Sequence, residues 1–308
     1  MTTYIKLFLT ACFWGGTFIA GKAIAGSVHP YCASFLRFSI ASFFLILLTR
    51  QKMNHFPVPN PGQLLLIILL GATGVFAYNL FFFTGLKHIN AGSASLIIAT
   101  NPILISFFSA LIFKEQLNLI KIVGLLLSVS GAMLVITGGH LSNLIELKLG
   151  LGEMLICGCV LSWVCYSLLG RSIMVSLSPV ASVCYSSIAG TLFLLVPALQ
   201  HGLLEQISGY HLIDWASLFY LGFFGTVLGF YWYYEGIEQI GPTKSSVFIN
   251  FVPISAILLS FFILHEPITL SLFSGGVLVI TGVYFTNASA LLSGLFKPRP
   301  GKINSHVK

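Results

Sequence analysis

Ten apolar segments, each roughly twenty residues long and nearly free of charge, limit what this chain can fold into more than any other feature. They run Tyr4–Ile24, Pro30–Thr49, Gln63–Leu86, Ala91–Phe113 and Leu119–Thr137, then Leu151–Gly170, Pro179–Leu199, Trp215–Glu235, Pro242–Leu264 and Leu270–Ala290. A helix rises about 1.5 Å per residue, so a hydrocarbon layer of about 30 Å takes about twenty residues to cross. Backbone groups in lipid must bond within their own segment, and a stretch of this length does so as a helix. Breakers separate the segments: Pro30, the Pro57–Pro59–Pro61 stretch, Asn90, Gly138–Gly139, Pro179, Gly209, Gly241–Pro242 and Pro267. The expected fold is an all-α integral membrane protein of ten transmembrane helices.

Composition agrees. Charged residues are 7% of 308, against about a quarter in a soluble domain, and hydrophobic types are 56%. So few ionic groups cannot cover a water-facing surface of this size. The net charge is +7, but the basic residues are scattered singly through short loops and a tail, with no stripe for nucleic acid. The six cysteines lie in apolar runs without a CxxC pair or a histidine at ligand spacing, so neither metal nor cofactor is expected. Lys6 precedes an apolar stretch that lacks a clear cleavage site, which reads as the first span.

Loop charges set an expected orientation. With the N-terminus cytoplasmic, the inner side holds Lys6, Arg50, Lys52, Lys114, Lys121, Arg171 and Lys244, plus the tail residues Lys297, Arg299, Lys302 and Lys308. The outer side holds Lys22, Lys87 and Lys148. Both termini are therefore expected in the cytoplasm, with the protein in the cytoplasmic (inner) membrane.

The second half repeats the first. At an offset of 151, Gly85 meets Gly236, Ser95 meets Ser246, Pro102 meets Pro253, Glu115 meets Glu266, Gly124 meets Gly275 and Gly131 meets Gly282. Earlier, at 149, Trp14 meets Trp163, Gly21 meets Gly170, Lys22 meets Arg171 and Pro30 meets Pro179. Each repeat has five spans, so the second copy enters the membrane from the opposite side. Inverted repeats suit a carrier, because two similar halves can exchange conformations about a central site. The expected organisation is a first repeat over 1–141, an inverted second repeat over 142–292, and a basic cytoplasmic tail over 293–308.

At these residues the chain resembles the EamA-type branch of the drug/metabolite transporter superfamily. The matching pieces are Phe13–Lys22 (FWGGTFIAGK), Leu36–Phe38 (LRF), Pro102 and Lys114–Glu115, then Gly236–Ser246 (GIEQIGPTKSS), Pro253 and His265–Glu266–Pro267. The resemblance covers residues 5 to 290. It implies a ten-helix carrier with a central cavity and leaves the substrate open.

Polar and aromatic residues placed mid-span are the candidate contacts for that substrate. Trp14 and Trp163 occupy matching positions in spans one and six, where they form either opposed cavity walls or packing against small neighbours. Asn101 precedes Pro102, and Asn250 precedes Pro253 by three; each proline frees a carbonyl four residues back, at Ile98 and Ile249, and the amides either contact a polar substrate or satisfy that broken backbone. Tyr78, Asn79 and Tyr166 complete an aromatic and amide-lined pocket suited to a neutral or zwitterionic solute. Arg37 lies two turns into span two and either snorkels to the outer interface or serves the cavity. Lys22, Glu235 and Lys244, near the span ends, are either gating or charge residues or plain loop-facing lysines and an interfacial carboxylate. Tyr231–Tyr234 reads as an interfacial aromatic belt, and Glu115 and Glu266 as caps on helix N-termini.

The expected function is a secondary transporter that exports a small polar, amino acid-like metabolite across the cytoplasmic membrane by alternating access. The partners are that solute and the lipid bilayer. Proton or ion coupling is left open, with Glu235 and Glu153 the available acids, and spans five and ten offer a homodimer face. The competing reading is a flippase or carrier for a lipid-linked or larger amphipathic substrate. An enzyme is not expected, since DxD, HExxH, GxSxG and Walker patterns are absent and the loops are mostly short.

Overall fold

Proline and capping residues start the helices where the sequence breaks. Asn60 and Gln63 form a reciprocal capping box, at 2.8 and 2.9 Å, around Pro61. Ser178 accepts the Ala181 amide at 3.3 Å ahead of Pro179. The computed structural model describes residues 2–53, 56–113, 119–139, 150–174, 176–240 and 247–295, and the described regular structure is helical throughout.

The first half contains α1 (Thr2–Ile24), α2 (Pro30–Met53), α3 (Pro61–Leu86), α4 (Ala91–Ile98), α5 (Asn101–Phe113) and α6 (Leu119–Ile136). The second contains α7 (Leu151–Ile173), α8 (Pro179–Gln200), α9 (residues 212–240), α10 (Phe251–Leu264) and α11 (Leu270–Leu295). Among the described residues six helices are long and apolar enough to cross a membrane: Thr2–Ile24, Pro30–Met53, Pro61–Leu86, Leu151–Ile173, Pro179–Gln200 and Leu212–Tyr233. Shorter apolar helices accompany them. The outer surface carries Phe43, Leu65, Leu126, Leu192, Phe262 and Phe273, all exposed. Large apolar side chains facing outward in this number require lipid as solvent, so the chain is a multi-pass membrane protein.

Two expected spans differ from the structure. The fourth is broken at Ala99–Thr100, so Pro102 lies in the first turn of α5 instead of inside a continuous helix. In the ninth, of which residues 242–246 lie outside the described ones, a short 3₁₀ turn, Val247–Asn250, precedes α10, which puts Pro253 near a helix start as well. In both cases the proline's missing amide falls where a first-turn donor has no helical partner anyway.

Two long helices widen into π-helical turns, Gly71–Ala77 in α3 and Tyr220–Leu228 in α9. Such turns are rare and free carbonyls for other donors. Gly225 O accepts the Trp14 indole N–H at 2.9 Å, Leu221 O accepts Thr226 Oγ1 at 3.0 Å, and Val75 O accepts Asn79 Nδ2 at 2.8 Å.

Close contacts recur between the halves at the offsets seen in the sequence. A Cβ on Gly71 would crowd Ala189, and one on Gly222, 151 residues on, would crowd Ile40, which is 149 before Ala189. Likewise Gly85 meets Ile156 while Gly236 meets Leu7, and Gly74 meets the Tyr166 ring while Gly225 meets Thr17. Gly131 packs on the Gly275 carbonyl, and Gly282 on that of Gly124, joining α6 to α11. Glycine permits such approach where no hydrophobic effect draws helices together. Ser42 and Thr191, 149 apart, hydrogen-bond to each other at 3.2 Å where α2 crosses α8.

Candidate functional site

A cavity of 510 Å³ lies between the two halves. It is within the range of small-molecule sites. Its walls include Trp14, Tyr78, Asn79, Asn101, Trp163, Tyr166 and Arg37, so seven of the sequence candidates meet around one space. Residues Ile98 and Ile249, expected from the proline argument, line it too.

The aromatic wall is a connected set of rings. Trp163 packs on Tyr78 at 5.4 Å and on Tyr166 at 5.2 Å between centroids, and Trp14 packs on Tyr233 at 5.4 Å and Phe230 at 5.7 Å. The Trp14 bond to Gly225 O fixes the ring's orientation. Tyr166 lies within 3.4 Å of the Ser186 hydroxyl. Offset and tilted rings of this kind pack favourably and present faces to a ligand.

The polar wall is built by Arg37. The side chain is 8% exposed and does not reach the interface. Snorkelling is overruled because Nη1 donates to Asn79 Oδ1 at 2.9 Å and Nη2 to Thr226 Oγ1 at 3.3 Å. Its Nε, and the Oδ1 of Asn101, are buried without a hydrogen-bond partner. Arg37 is also the one charged residue in the described lining. A central charge costs roughly 2.5–3.5 kcal/mol to insert, so two neutral partners leave it incompletely compensated.

Two other charge candidates, Lys22 and Glu235, stand apart from the cavity. Lys22 Nζ donates to Leu86 O at 2.7 Å and Ile89 O at 2.8 Å, closing the corner after α3. A cation there satisfies carbonyls at a helix C-terminus. Glu235 pairs with Lys6 at 2.9 Å. Lys244 lies outside the described residues, as do Glu115 and the side chain of Asn250. Glu266 accepts the amides of Ala91 and Gly92 at 3.0 and 3.3 Å. It therefore caps α4, across the structure, instead of the helix that follows it in sequence.

The cavity is one-sided. Its lining reaches Leu70, Gly170, Met174 and Ser182. The residues at the repeat offsets, Leu221, Gly21, Ala25 and Ala33, are absent from the described lining, and Ala25 is 5% exposed where Met174 is 37%. Instead Phe18, Ile24, Phe82, Phe83, Leu86 and Ala198 fill that end as a packed apolar layer. Beyond it His29 stacks on His201 at 4.4 Å, linking the α1–α2 loop to the end of α8.

Sequence reasoning missed Thr226, Phe230 and Tyr233. Tyr233, which the sequence places in an interfacial belt, lines the cavity against Trp14. A helical position one turn after Gly229, whose absent side chain makes room for the Trp14 indole, was the available signal.

Known proteins place this architecture. The profile of the EamA-like transporter family matches residues 1–137 and 150–288. The chain is similar to the Uncharacterized transporter YyaM of Bacillus subtilis (strain 168), at 29% identity over 92% of each chain. It is 28% identical to a protein of Streptantibioticus cattleyicolor named "Probable terminal-alkyne amino-acid exporter", covering 92% of this chain and 93% of that one. A solved crystal structure at 19% identity superposes with a TM-score of 0.65 over 93% of this chain and 98% of its own, a likeness of fold alone.

Proposed function

The chain belongs to the EamA-like transporter family, and on that premise we propose that it is a secondary carrier exporting a small polar, amino acid-like metabolite by alternating access. It is a transporter and not an enzyme. In this reading ten helices form two inverted repeats, 1–141 and 142–292, with the 293–308 tail and the N-terminus in the cytoplasm of an inner-membrane protein.

The observation that carries the proposal is the one-sided cavity at the junction of the halves. Gly170, Met174 and Ser182 line it while their counterparts Gly21, Ala25 and Ala33 do not, and Met174 is 37% exposed against 5% at Ala25. Two similar halves that traded roles would open the sealed end and close the other. The recurrent glycine contacts and the Ser42–Thr191 bond support a pseudo-twofold relation between them. The relative named as an amino-acid exporter supports the solute class.

The test is counterflow by purified protein in liposomes against pooled amino acids, nucleosides, organic acids and a lipid-linked sugar. A soluble metabolite is expected to move. Trp14→Ala and Asn101→Ala are expected to weaken its transport at least tenfold with folded protein retained. Movement of the lipid-linked sugar alone, or unchanged kinetics in both variants, overturns the reading.

A further inference from the structure

We infer that the cavity recognises a free carboxylate through Arg37 and a neighbouring N–H donor through Asn101, so that its solutes are carboxylic acids bearing a protonated or neutral amine. The inference rests on the carrier reading and specifies the chemistry of the same cavity.

Arg37 has five N–H donors, of which two are spent on the neutral acceptors Asn79 and Thr226. Those two bonds hold the guanidinium plane in place. The Nε–H stays unpartnered, and the side chain is 8% exposed. Among the described residues no carboxylate pairs with Arg37. A buried cation without an anion is strongly unfavourable, and a cavity beside it invites one from outside. A carboxylate matches the planar fork with two parallel hydrogen bonds.

Asn101 supplies the complementary group. The residue lines the same cavity and is 6% exposed, and its Oδ1 is a buried acceptor with no donor. A buried acceptor left unmade costs more than a bond gains, so a ligand that brings an N–H is favoured there. The faces of Trp14 and Trp163 tolerate the positive charge of an ammonium group. The described lining holds no acid, so a simple cation lacking a carboxylate finds no anionic partner there and is repelled by Arg37.

The experiment compares wild-type counterflow of labelled amino acids with their C-terminal amides and with the matching acids that lack the amine. The amides are expected to compete at least tenfold more weakly, and the des-amino acids several-fold more weakly. Arg37→Gln is expected to abolish the acid-over-amide preference, while Arg37→Lys keeps the preference with weaker competition. Asn101→Ala is expected to erase the preference for the amine alone. Equal competition by acid and amide in the wild type, a preference that survives Arg37→Gln, or stronger competition by alkyl phosphates each overturns the inference. The wild-type comparison does not depend on any variant folding. Transport of neutral or cationic solutes without carboxylates would sink the inference and leave the carrier standing. Failure of every solute would sink the carrier reading itself.

Discussion

Trp14 is anchored by one hydrogen bond to a carbonyl that a π-helical turn has released, at 2.9 Å. Trp14→Phe keeps the ring and loses the donor, and is expected to cost about 1 kcal/mol of stability in a detergent melting experiment. Asn101→Ala removes an acceptor that has no partner, so it is expected to leave the melting temperature unchanged while transport falls. At the sealed end, burial holds the His29 imidazole below its usual range, helped by repulsion from His201 and Lys87. Tyr31 stacks on the same pair, and the nearby Asp214 is already held by Ser27 and the His211 amide. Because the packed state favours neutral His29, its contribution is complete above about pH 6.5 and is lost as pH falls below that value. Cys32 lies beneath, fully buried, with its thiol 3.6 Å from Ala198 O. Maleimide labelling of Cys32, with the other cysteines replaced, is expected to rise as pH drops from about 8 to about 5.5. Thiolate chemistry alone would make it fall.

Among the elements, α6 and α11 are held by glycine-to-backbone contact through Gly131, Gly275, Gly282 and Gly124. A side chain at Gly131 has rigid backbone in its way, so Gly131→Val is expected to cost about 1–3 kcal/mol. Gly26→Ala, in open space, is expected to be neutral in the same melting assay. The spacing of these glycines was legible in the sequence, as were the starts of α2 and α8, which Pro30 and Pro179 mark, and that of α7 at Leu151, where the apolar run begins. The π-helical turns were not legible. They depend on contacts between helices, such as Gly74 with Tyr166, that no local pattern records. Apolar runs also concealed the break at Ala99–Thr100, since both pieces are equally hydrophobic. Of the site, the aromatic and amide residues were found from their unusual depth. Arg37 was noticed for the same reason, but its partners Asn79 and Thr226 come from α3 and α9, and only the fold brings them together.

For the molecule as a whole, the claim that matters is that two oppositely inserted halves share one cavity and take turns closing it. Met174 lines the cavity, and Ala25, its counterpart 149 residues earlier, is 5% exposed in the sealed end. The most direct measurement places single cysteines at these two positions in a background without native cysteines. They are then labelled with a membrane-impermeant maleimide in right-side-out and inverted vesicles, with increasing amounts of a transported solute. The account predicts that Met174→Cys reacts only from the cytoplasmic face and Ala25→Cys only from the opposite face, one rate falling as the other rises. Reaction of both from the same face, or rates that rise together, would contradict it.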